Sequence, residues 1–308
     1  MPMNRRQFVA ASALLAGARR LPAAAPALRF PTAARERLAI ASYALHTMIE
    51  SPRRRGGGAP PPAAQMDIKD FPAFVVKRYS IRNIEVLGQH LRSTQDAYLA
   101  EFRKATADAG VRVVNIPTSV GGSLYDPDTA KRATAVENSK RWIDAAGVLE
   151  CPSVRIHIQK AGDITPDAGR AAESLAGVAK YGESKGVVVN LENDDLFSED
   201  AFFIVKVIDE VKSPWLRALP DFGNSMLKGD EKFNYDAVAA MFRRAYNICH
   251  LKDAEVDRGK VFRVDLARTF EIAKASGYKG YFSVEFEGEG DPVVGVEKLV
   301  DAALKQLG

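Results

Sequence analysis

This sequence of 308 residues has few of the residues that form disulfide frameworks or clusters of several metal ions. Its two cysteines, Cys151 and Cys249, cannot form a framework, and we expect both to be small buried apolar side chains. Four histidines in the whole chain cannot supply the many imidazoles of a trinuclear zinc site. The chain also has no G-x-G-x-x-G motif after an early strand, which excludes the commonest doubly wound dinucleotide-binding sheet.

Long hydrophobic runs are missing as well. The apolar stretch Val9–Ala18 is too short to span a bilayer, so we expect no membrane span. It follows Arg5-Arg6-Gln7-Phe8 and precedes a small-residue stretch that ends at Ala27. This order is typical of a signal peptide, and the paired arginines resemble a twin-arginine export signal over residues 1–27. The predicted location is periplasmic or extracellular. A general secretion signal and a frayed N-terminal helix are the alternatives.

An excess of basic charge is also absent once that leader is set aside. The formal net charge is +4, but residues 1–27 carry four arginines and no acid, so their removal leaves a net charge of zero. A nucleic-acid-binding protein is expected to keep a basic face, because phosphate neutralisation supplies most of its affinity. We therefore predict no nucleic-acid partner.

The rest of the chain alternates short β-branched runs with amphipathic stretches, which is the pattern of parallel βα units. We predict eight strands: Leu38–Tyr43, Ile84–Leu87, Val111–Ile116, Ser153–Ile158, Val187–Glu192, Leu216–Asp221, Asn247–Leu251 and Tyr281–Phe286. We predict helices between and after them: Ile68–Arg78, Gln95–Ala109, Pro127–Ala146, Pro166–Lys185, Ser198–Val211, Tyr235–Ala245, Asp265–Ser276 and Val294–Gln306. Eight such units predict a single-domain α/β fold, a closed (βα)₈ TIM barrel over residues 28–308. An open doubly wound sheet is the competing architecture.

One segment interrupts this alternation. Residues 51–66 contain three consecutive arginines, three glycines and three prolines, so they cannot form regular structure. The segment follows the first strand, on the face of a barrel where active sites form. Two interpretations remain open, a disordered insert and a lid over the substrate.

Four polar side chains stand at or near the carboxyl ends of the last four predicted strands: Glu192, Asp221, His250 and Glu285. Side chains at these positions converge at the rim of a barrel, and a bound cation would offset the cost of burying their charge. Taken singly, such an acid is more often a helix cap, and such a histidine a hydrogen-bonded rim residue. Together they predict one divalent metal ion. Three carboxylates and one imidazole favour Mn²⁺ or Mg²⁺, while Zn²⁺, Co²⁺ and Fe²⁺ remain compatible.

Four short motifs contain these side chains: Leu191–Asp194, Asp221–Asn224, His250–Asp253 and Val284–Gly288. In their order and spacing they resemble the xylose isomerase-like TIM-barrel superfamily of sugar phosphate isomerases and epimerases, over Leu38–Gly308. The resemblance implies that Glu192 and Glu285 are catalytic, binding the metal and exchanging the substrate proton. It implies that Asp221 and His250 are metal ligands only.

Three further residues are candidates for substrate binding. Lys252 would add positive charge near a developing oxyanion, or would instead form a salt bridge with Asp253. His157 faces the rim from the fourth predicted strand and is suited to a substrate hydroxyl. Asn224 occupies a position where ketose 3-epimerases of the family carry a histidine, so the chain departs from their pattern there.

Two smaller expectations concern neighbouring charges. Arg155 shares the inward face of His157 and could equally form a structural ion pair. Glu287 is expected to support the residues around it. Cys249 is adjacent to His250, but strand alternation turns it away from the barrel interior.

These features predict a divalent-metal-dependent sugar isomerase or epimerase that transfers a proton α to a carbonyl of a non-phosphorylated sugar or keto-sugar. The alternative is a lyase that eliminates from a keto-sugar or 3-keto-glycoside by the same first step. Two weaker hypotheses are a sugar-binding barrel without activity and a nuclease of the endonuclease IV type, which the four histidines and the neutral charge disfavour. The expected partner is a small sugar, and assembly into a homo-oligomer is left open.

Overall fold

The computed structural model describes residues 25–51, 66–194 and 200–308. The twin-arginine motif and most of the predicted insert at residues 51–66 lie outside the described residues. At the two described ends of that insert, Ile49 pairs with Met66 in an isolated parallel bridge. In the described part of the chain, no helix has the length and apolar character needed to cross a membrane.

Eight parallel strands form the central sheet, as the sequence predicts. They are β1 (Leu38–Ala41), β2 (Asn83–Glu85), β3 (Arg112–Thr118), β4 (Ser153–Ile156), β5 (Val188–Glu192), β6 (Leu216–Leu219), β7 (Ile248–Leu251) and β10 (Tyr281–Val284). Their order in the sheet is β6-β5-β4-β3-β2-β1-β10-β7. Strands β6 and β7 approach each other through the bridges Ala218–Ala245 and Asp221–His250, which bring the sheet to a nearly closed barrel. The chain is therefore a single-domain α/β TIM barrel.

Helices follow the strands and cover the outside of the barrel. They are α1 (Phe71–Tyr79), α2 (Asp96–Asp108), α3 (Thr129–Val148), α4 (Ala168–Lys185), α5 (Ala201–Val211), α6 (Glu231–Phe242), α7 (Leu266–Ala275) and α8 (Pro292–Leu307). Short 3₁₀ turns occupy Ala34–Arg37, Ser42–Leu45, Gly88–His90 and Asn224–Leu227. An aspartate side chain accepts hydrogen bonds from backbone amides in the first turn of each of six helices, α3 to α8. These N-cap bonds stabilise the amino ends of the helices.

Five of the predicted strands run two residues too far at their carboxyl ends, whereas β3 extends two residues beyond the predicted Ile116. Strand β1 ends at Ala41 rather than Tyr43, and β4 ends at Ile156 rather than Ile158. The reason is that the rim residues turn away from the ladder, for instance into the 3₁₀ turn Ser42–Leu45. Helix α6 begins four residues before the predicted start, because Asp230 caps it by accepting from the Phe233 amide.

A two-stranded antiparallel hairpin between β7 and α7 was not predicted. It consists of β8 (Ala254–Asp257) and β9 (Lys260–Arg263). Its turn residues Arg258 and Gly259 both have positive φ, 48° and 79°, as a two-residue type I′ turn requires. The hairpin follows the β7 rim directly and brings the side chain of Glu255 to the site described below.

Neutral polar side chains form a layer inside the barrel, on β3, β4 and β5 and directly before β7. Ser153 Oγ donates to Asn115 Oδ1 at 2.7 Å and accepts from Asn247 Nδ2 at 2.8 Å. Asn190 Nδ2 in turn donates to Asn247 Oδ1 at 3.2 Å. We call Asn115, Ser153, Asn190 and Asn247 the amide layer. All four are buried, and their mutual bonds offset most of the desolvation cost.

The helix-facing side of the strands packs into an apolar core. Cys151 and Cys249 are both free and buried within this core, as predicted. Burial raises the pKa of the Cys151 thiol to about 12, so it stays protonated and inert.

Candidate metal centre

All four predicted ligands meet at the carboxyl end of the barrel. Glu192 ends β5, His250 lies in β7, Asp221 follows β6 by two residues and Glu285 directly follows β10. One ligand atom from each lies within 4.8 Å of every other, and all four side chains are buried. Successive parallel strands of a barrel place inward side chains at this rim, so separate sequence positions converge on one point.

Local hydrogen bonds orient the Asp221 carboxylate. Its Oδ1 atom accepts from the amides of Gly223 at 2.8 Å and Asn224 at 2.7 Å, in the turn after β6. Its Oδ2 atom is buried, accepts no hydrogen bond from the described residues and lies 3.3 Å from Lys252 Nζ. One oxygen is thus fixed by the backbone, and the other remains available to a ligand.

His250 has carboxylates on both ring nitrogens. Its Nδ1 atom is 2.5 Å from Glu192 Oε1, 3.3 Å from Glu285 Oε2 and 4.0 Å from Asp221 Oδ2. Burial lowers the pKa of this imidazole, but the charges of Glu192 and its neighbours outweigh burial and hold the pKa well above its ordinary value. The imidazolium therefore supplies positive charge at the centre of the cluster.

The other ring nitrogen of His250 points to a residue that sequence reasoning missed, Glu85 on β2. His250 Nε2 lies 2.9 Å from Glu85 Oε2. Asn115 Nδ2 and Ser283 Oγ each donate to the Glu85 carboxylate at 2.6 Å. Burial raises the pKa of Glu85, but the His250 charge and these hydrogen bonds lower it overall, so the residue is an anion.

Metal binding would require a neutral imidazole in place of the imidazolium of the metal-free cluster, and Glu85 determines which nitrogen of His250 then lacks a proton. A neutral imidazole beside this carboxylate keeps its proton on Nε2, which leaves the lone pair of Nδ1 directed at Glu192, Asp221 and Glu285. A sequence signal for Glu85 does exist: an acid between Ile84 and Val86, inside a buried strand, needs a compensating partner.

The cluster has the chemistry of a divalent-cation site. Burial raises the pKa of Asp221 to about 6, and burial with the nearby charge of Glu192 raises the pKa of Glu285 well above its usual value. Glu192 Oε2 also accepts no hydrogen bond, although Arg155 Nε lies 2.7 Å away in poor donor geometry. The Asp221 and Glu285 carboxylates resist ionisation because burial and neighbouring negative charge outweigh the positive charge around them. The donor set of hard oxygens and one imidazole fits a divalent ion.

Lys252 is held by three acceptors rather than by Asp253, so that predicted alternative is wrong. Its Nζ atom donates to Asn224 Oδ1 at 2.8 Å, Glu255 Oε2 at 2.7 Å and Glu287 Oε1 at 2.9 Å. These bonds use all three donors of an ammonium group. Lys252 and Asn224 line the cavity above the cluster, and Glu287 accepts a hydrogen bond from Lys252, as expected of a supporting residue.

His157 lies to one side of the cluster, in the wall of a neighbouring compartment. Its Nε2 atom is 3.0 Å from Asp194 Oδ2. Arg155 Nη1 reaches the same carboxylate at 3.4 Å and also pairs with Glu192, so the structural ion pair that the sequence allowed for is present. The structure thus brings Asn224 and Lys252 to the metal cavity and places His157 beside it.

The cavity above the cluster has a volume of about 220 Å³ and a polar lining. Glu192, Glu285, Tyr43 and Glu255 are among the residues that line it. The arrangement can hold a small polar molecule against a bound cation with a carboxylate on either side.

Several solved structures have the same fold at low sequence identity. L-ribulose 3-epimerase is 18% identical with a TM-score of 0.67, covering 88% of this chain and 95% of its own. A xylose isomerase-like TIM barrel protein from Mycobacterium smegmatis in complex with magnesium is 19% identical with a TM-score of 0.65, covering 89% and 98%. The 3-keto-D-glucoside 4-epimerase from E. coli is 14% identical with a TM-score of 0.62, covering 87% and 98%.

These similarities establish the fold. No curated protein sequence matches the chain. The family model described as "Xylose isomerase-like TIM barrel" matches residues 75–307, which include all four residues of the metal cluster and Glu85. The chain belongs to the xylose isomerase-like TIM barrel family.

Proposed function

We propose that this protein is a divalent-metal-dependent isomerase or epimerase of a non-phosphorylated sugar or keto-sugar. The observation that carries the proposal is the buried cluster of Glu192, Asp221, His250 and Glu285 beneath a small polar cavity. Its structural neighbours include enzymes named as sugar epimerases, one of which acts on a 3-keto-D-glucoside. A magnesium complex among these neighbours also supports an oxygen-preferring metal.

The chemistry follows from the placement of two carboxylates. The four residues of the cluster would hold a divalent cation, Mn²⁺ or Mg²⁺ from the donor set, and the cation would supply positive charge that acidifies a C–H bond next to a substrate carbonyl. Glu192 and Glu285 stand at separate strand ends in the lining of the cavity. One removes the proton to give an enediolate, and the other returns a proton to the same or the neighbouring carbon. Asp221 and His250 would serve as metal ligands only.

A lyase is the second candidate. Elimination from a keto-sugar begins with the same proton removal and differs in the loss of a β-substituent. The observation that favours it is a second compartment that shares a wall with the metal cavity and offers room for a leaving group.

We also propose that the predicted leader at residues 1–27 directs the protein out of the cytoplasm through the twin-arginine pathway.

The test combines metal analysis of the purified protein with proton exchange in D₂O. We expect one divalent ion per chain and deuterium incorporation into one member of a panel of ketoses, aldoses and 3-keto-glucosides. Glu285→Gln removes an acid/base group and is expected to lower the exchange rate by roughly 10²–10⁴-fold. Glu289→Gln is the matched control, because it makes the same change at an exposed position four residues further on.

Absence of bound metal, together with wild-type exchange in Glu285→Gln, would contradict the proposal. Product analysis separates the two candidates, because epimerisation conserves the mass of the sugar and elimination releases a second molecule.

A further inference from the structure

A second compartment of about 460 Å³ lies beside the metal cavity. The two share Leu87, Arg155 and Asp194 in their walls, so they are contiguous at the rim. Pockets for small ligands usually measure about 300–1,000 Å³, and the metal cavity alone falls below that range. A substrate that fills both compartments is larger than one sugar ring at the metal.

The second compartment has a lining suited to a neutral sugar ring. Trp142 is 8% exposed and contributes an edge of its indole to the lining, and Thr118, Ser119 and Gln159 provide hydroxyl and amide groups. Sugars present apolar C–H faces that pack on aromatic rings and hydroxyls that bind such groups. The compartment therefore offers both modes of contact.

Gly88 keeps this indole edge in place. A Cβ atom at Gly88 would lie 2.7 Å from Trp142 Cη2 and 3.1 Å from Thr118 Oγ1, so a larger residue would displace the indole. The absence of a side chain at Gly88 lets the turn after β2 pack directly on Trp142.

The charges in the shared wall are paired. Asp194 Oδ2 lies 3.0 Å from His157 Nε2 and 3.4 Å from Arg155 Nη1, and Arg155 also pairs with Glu192. Among the described residues, the shared wall thus has no excess of positive charge to bind a phosphate, which favours an uncharged group.

We propose that this second compartment is a subsite for the second ring of a disaccharide whose keto-sugar ring lies at the metal centre. The inference rests on the proposed function and makes its substrate class specific. A free pentose or hexose would leave the subsite empty.

Binding can be measured without turnover, because the chain has two tryptophans. Trp215 directly precedes β6, at the amino end of the strand, and Trp215→Phe leaves Trp142 as the single indole. We expect cellobiose, maltose or trehalose, or one of their 3-keto forms, to change Trp142 fluorescence with at least tenfold higher affinity than glucose or fructose. Equal responses to single sugars and disaccharides, or no response to any of them, would overturn the subsite.

A blocking variant links the signal to this compartment. Ser119 is exposed at its rim, and Ser119→Phe in the Trp215→Phe background is expected to weaken disaccharide binding at least tenfold and leave monosaccharide binding unchanged. Ser184→Phe, at an exposed position on α4, is the matched control. Equal disaccharide affinities in the two variants would contradict the assignment.

The two proposals fail in different measurements. Fluorescence quenching without deuterium exchange into any sugar would retain the subsite and reject the proton-transfer chemistry. Exchange into monosaccharides with no preference for disaccharides would retain the chemistry and reject the subsite.

Discussion

Two polar layers lie in the interior of this barrel, and they differ in how far hydrogen bonds and opposite charges compensate their burial. The amide layer of Asn115, Ser153, Asn190 and Asn247 is neutral and bonded within itself, and only Asn190 Oδ1 among its described side-chain atoms accepts no hydrogen bond. Above it lie Glu85, Glu192, Asp221 and Glu285, which we call the carboxylate layer. In that layer Glu192 Oε2 and Asp221 Oδ2 accept no hydrogen bond.

This difference indicates that the amide layer contributes to stability and the carboxylate layer to function. Buried neutral groups that satisfy one another contribute to the fold, whereas buried charge without enough compensation is costly and persists where a ligand supplies the rest. His250 and Arg155 provide positive charge to the carboxylate layer, and Lys252 is shared with Glu255 and Glu287 outside it. Glu85 joins the two layers, because it binds both Asn115 and His250.

The largest expected effect is a rise in thermal stability when a metal ion binds the carboxylate layer. A cation that binds the folded state alone stabilises it by about 4 kcal/mol at 1,000 times its Kd. For a domain of this size that corresponds to a rise in Tm on the order of 10 °C. The measurement is thermal unfolding of chelator-treated protein with and without Mn²⁺ or Mg²⁺, and Asp221→Asn should abolish most of the rise.

An unchanged Tm in both metals would mean that His250, Arg155 and Lys252 already neutralise the carboxylate layer. The two layers would then differ in charge, but the carboxylate layer would have no metal-binding function.

Glu85→Gln tests the residue that connects the two layers. The amide keeps a hydrogen-bonding group near His250 Nε2 but loses the charge that holds a proton there. We expect metal affinity to fall by roughly 10–100-fold, as for other carboxylates behind metal-binding histidines. Competition with a chelating dye measures it, and Glu137→Gln on an exposed face of α3 is the control.

A purely structural role for Glu85 would give a different result. The Tm of the metal-free protein would fall, while the affinity of the folded protein for metal would match that of Glu137→Gln.

The sequence could predict the barrel and the convergence of the four candidate ligands from the same two patterns. Strand alternation and strand order are local properties, and they place Glu192, Asp221, His250 and Glu285 at one rim. The role of Glu85 was not predicted from the sequence, because its partner His250 is 165 residues away and only the closed barrel brings the two together.

The missed hairpin had a similar consequence. Strands β8 and β9 have four residues each, too short for a clear alternating pattern, and their turn is Arg258-Gly259 rather than a commoner Asn-Gly. Without the hairpin, Glu255 could not be placed near Lys252, so the nearby Asp253 seemed the natural partner. Pairing of a buried lysine is decided by tertiary structure, and adjacency in sequence is a weak guide to it.

Ser153→Ala has the smallest expected effect at the metal and tests the amide layer alone. It removes one hydroxyl with almost no change in volume and leaves Asn115 Oδ1 and Asn247 Nδ2 without their partner. Such unsatisfied buried groups cost about 1–3 kcal/mol in the free energy of unfolding, measurable by urea denaturation. Metal affinity should change less than about threefold, roughly 0.6 kcal/mol. A larger loss of affinity would show that the amide layer positions Glu85 through Asn115, and the two layers would then act as one unit.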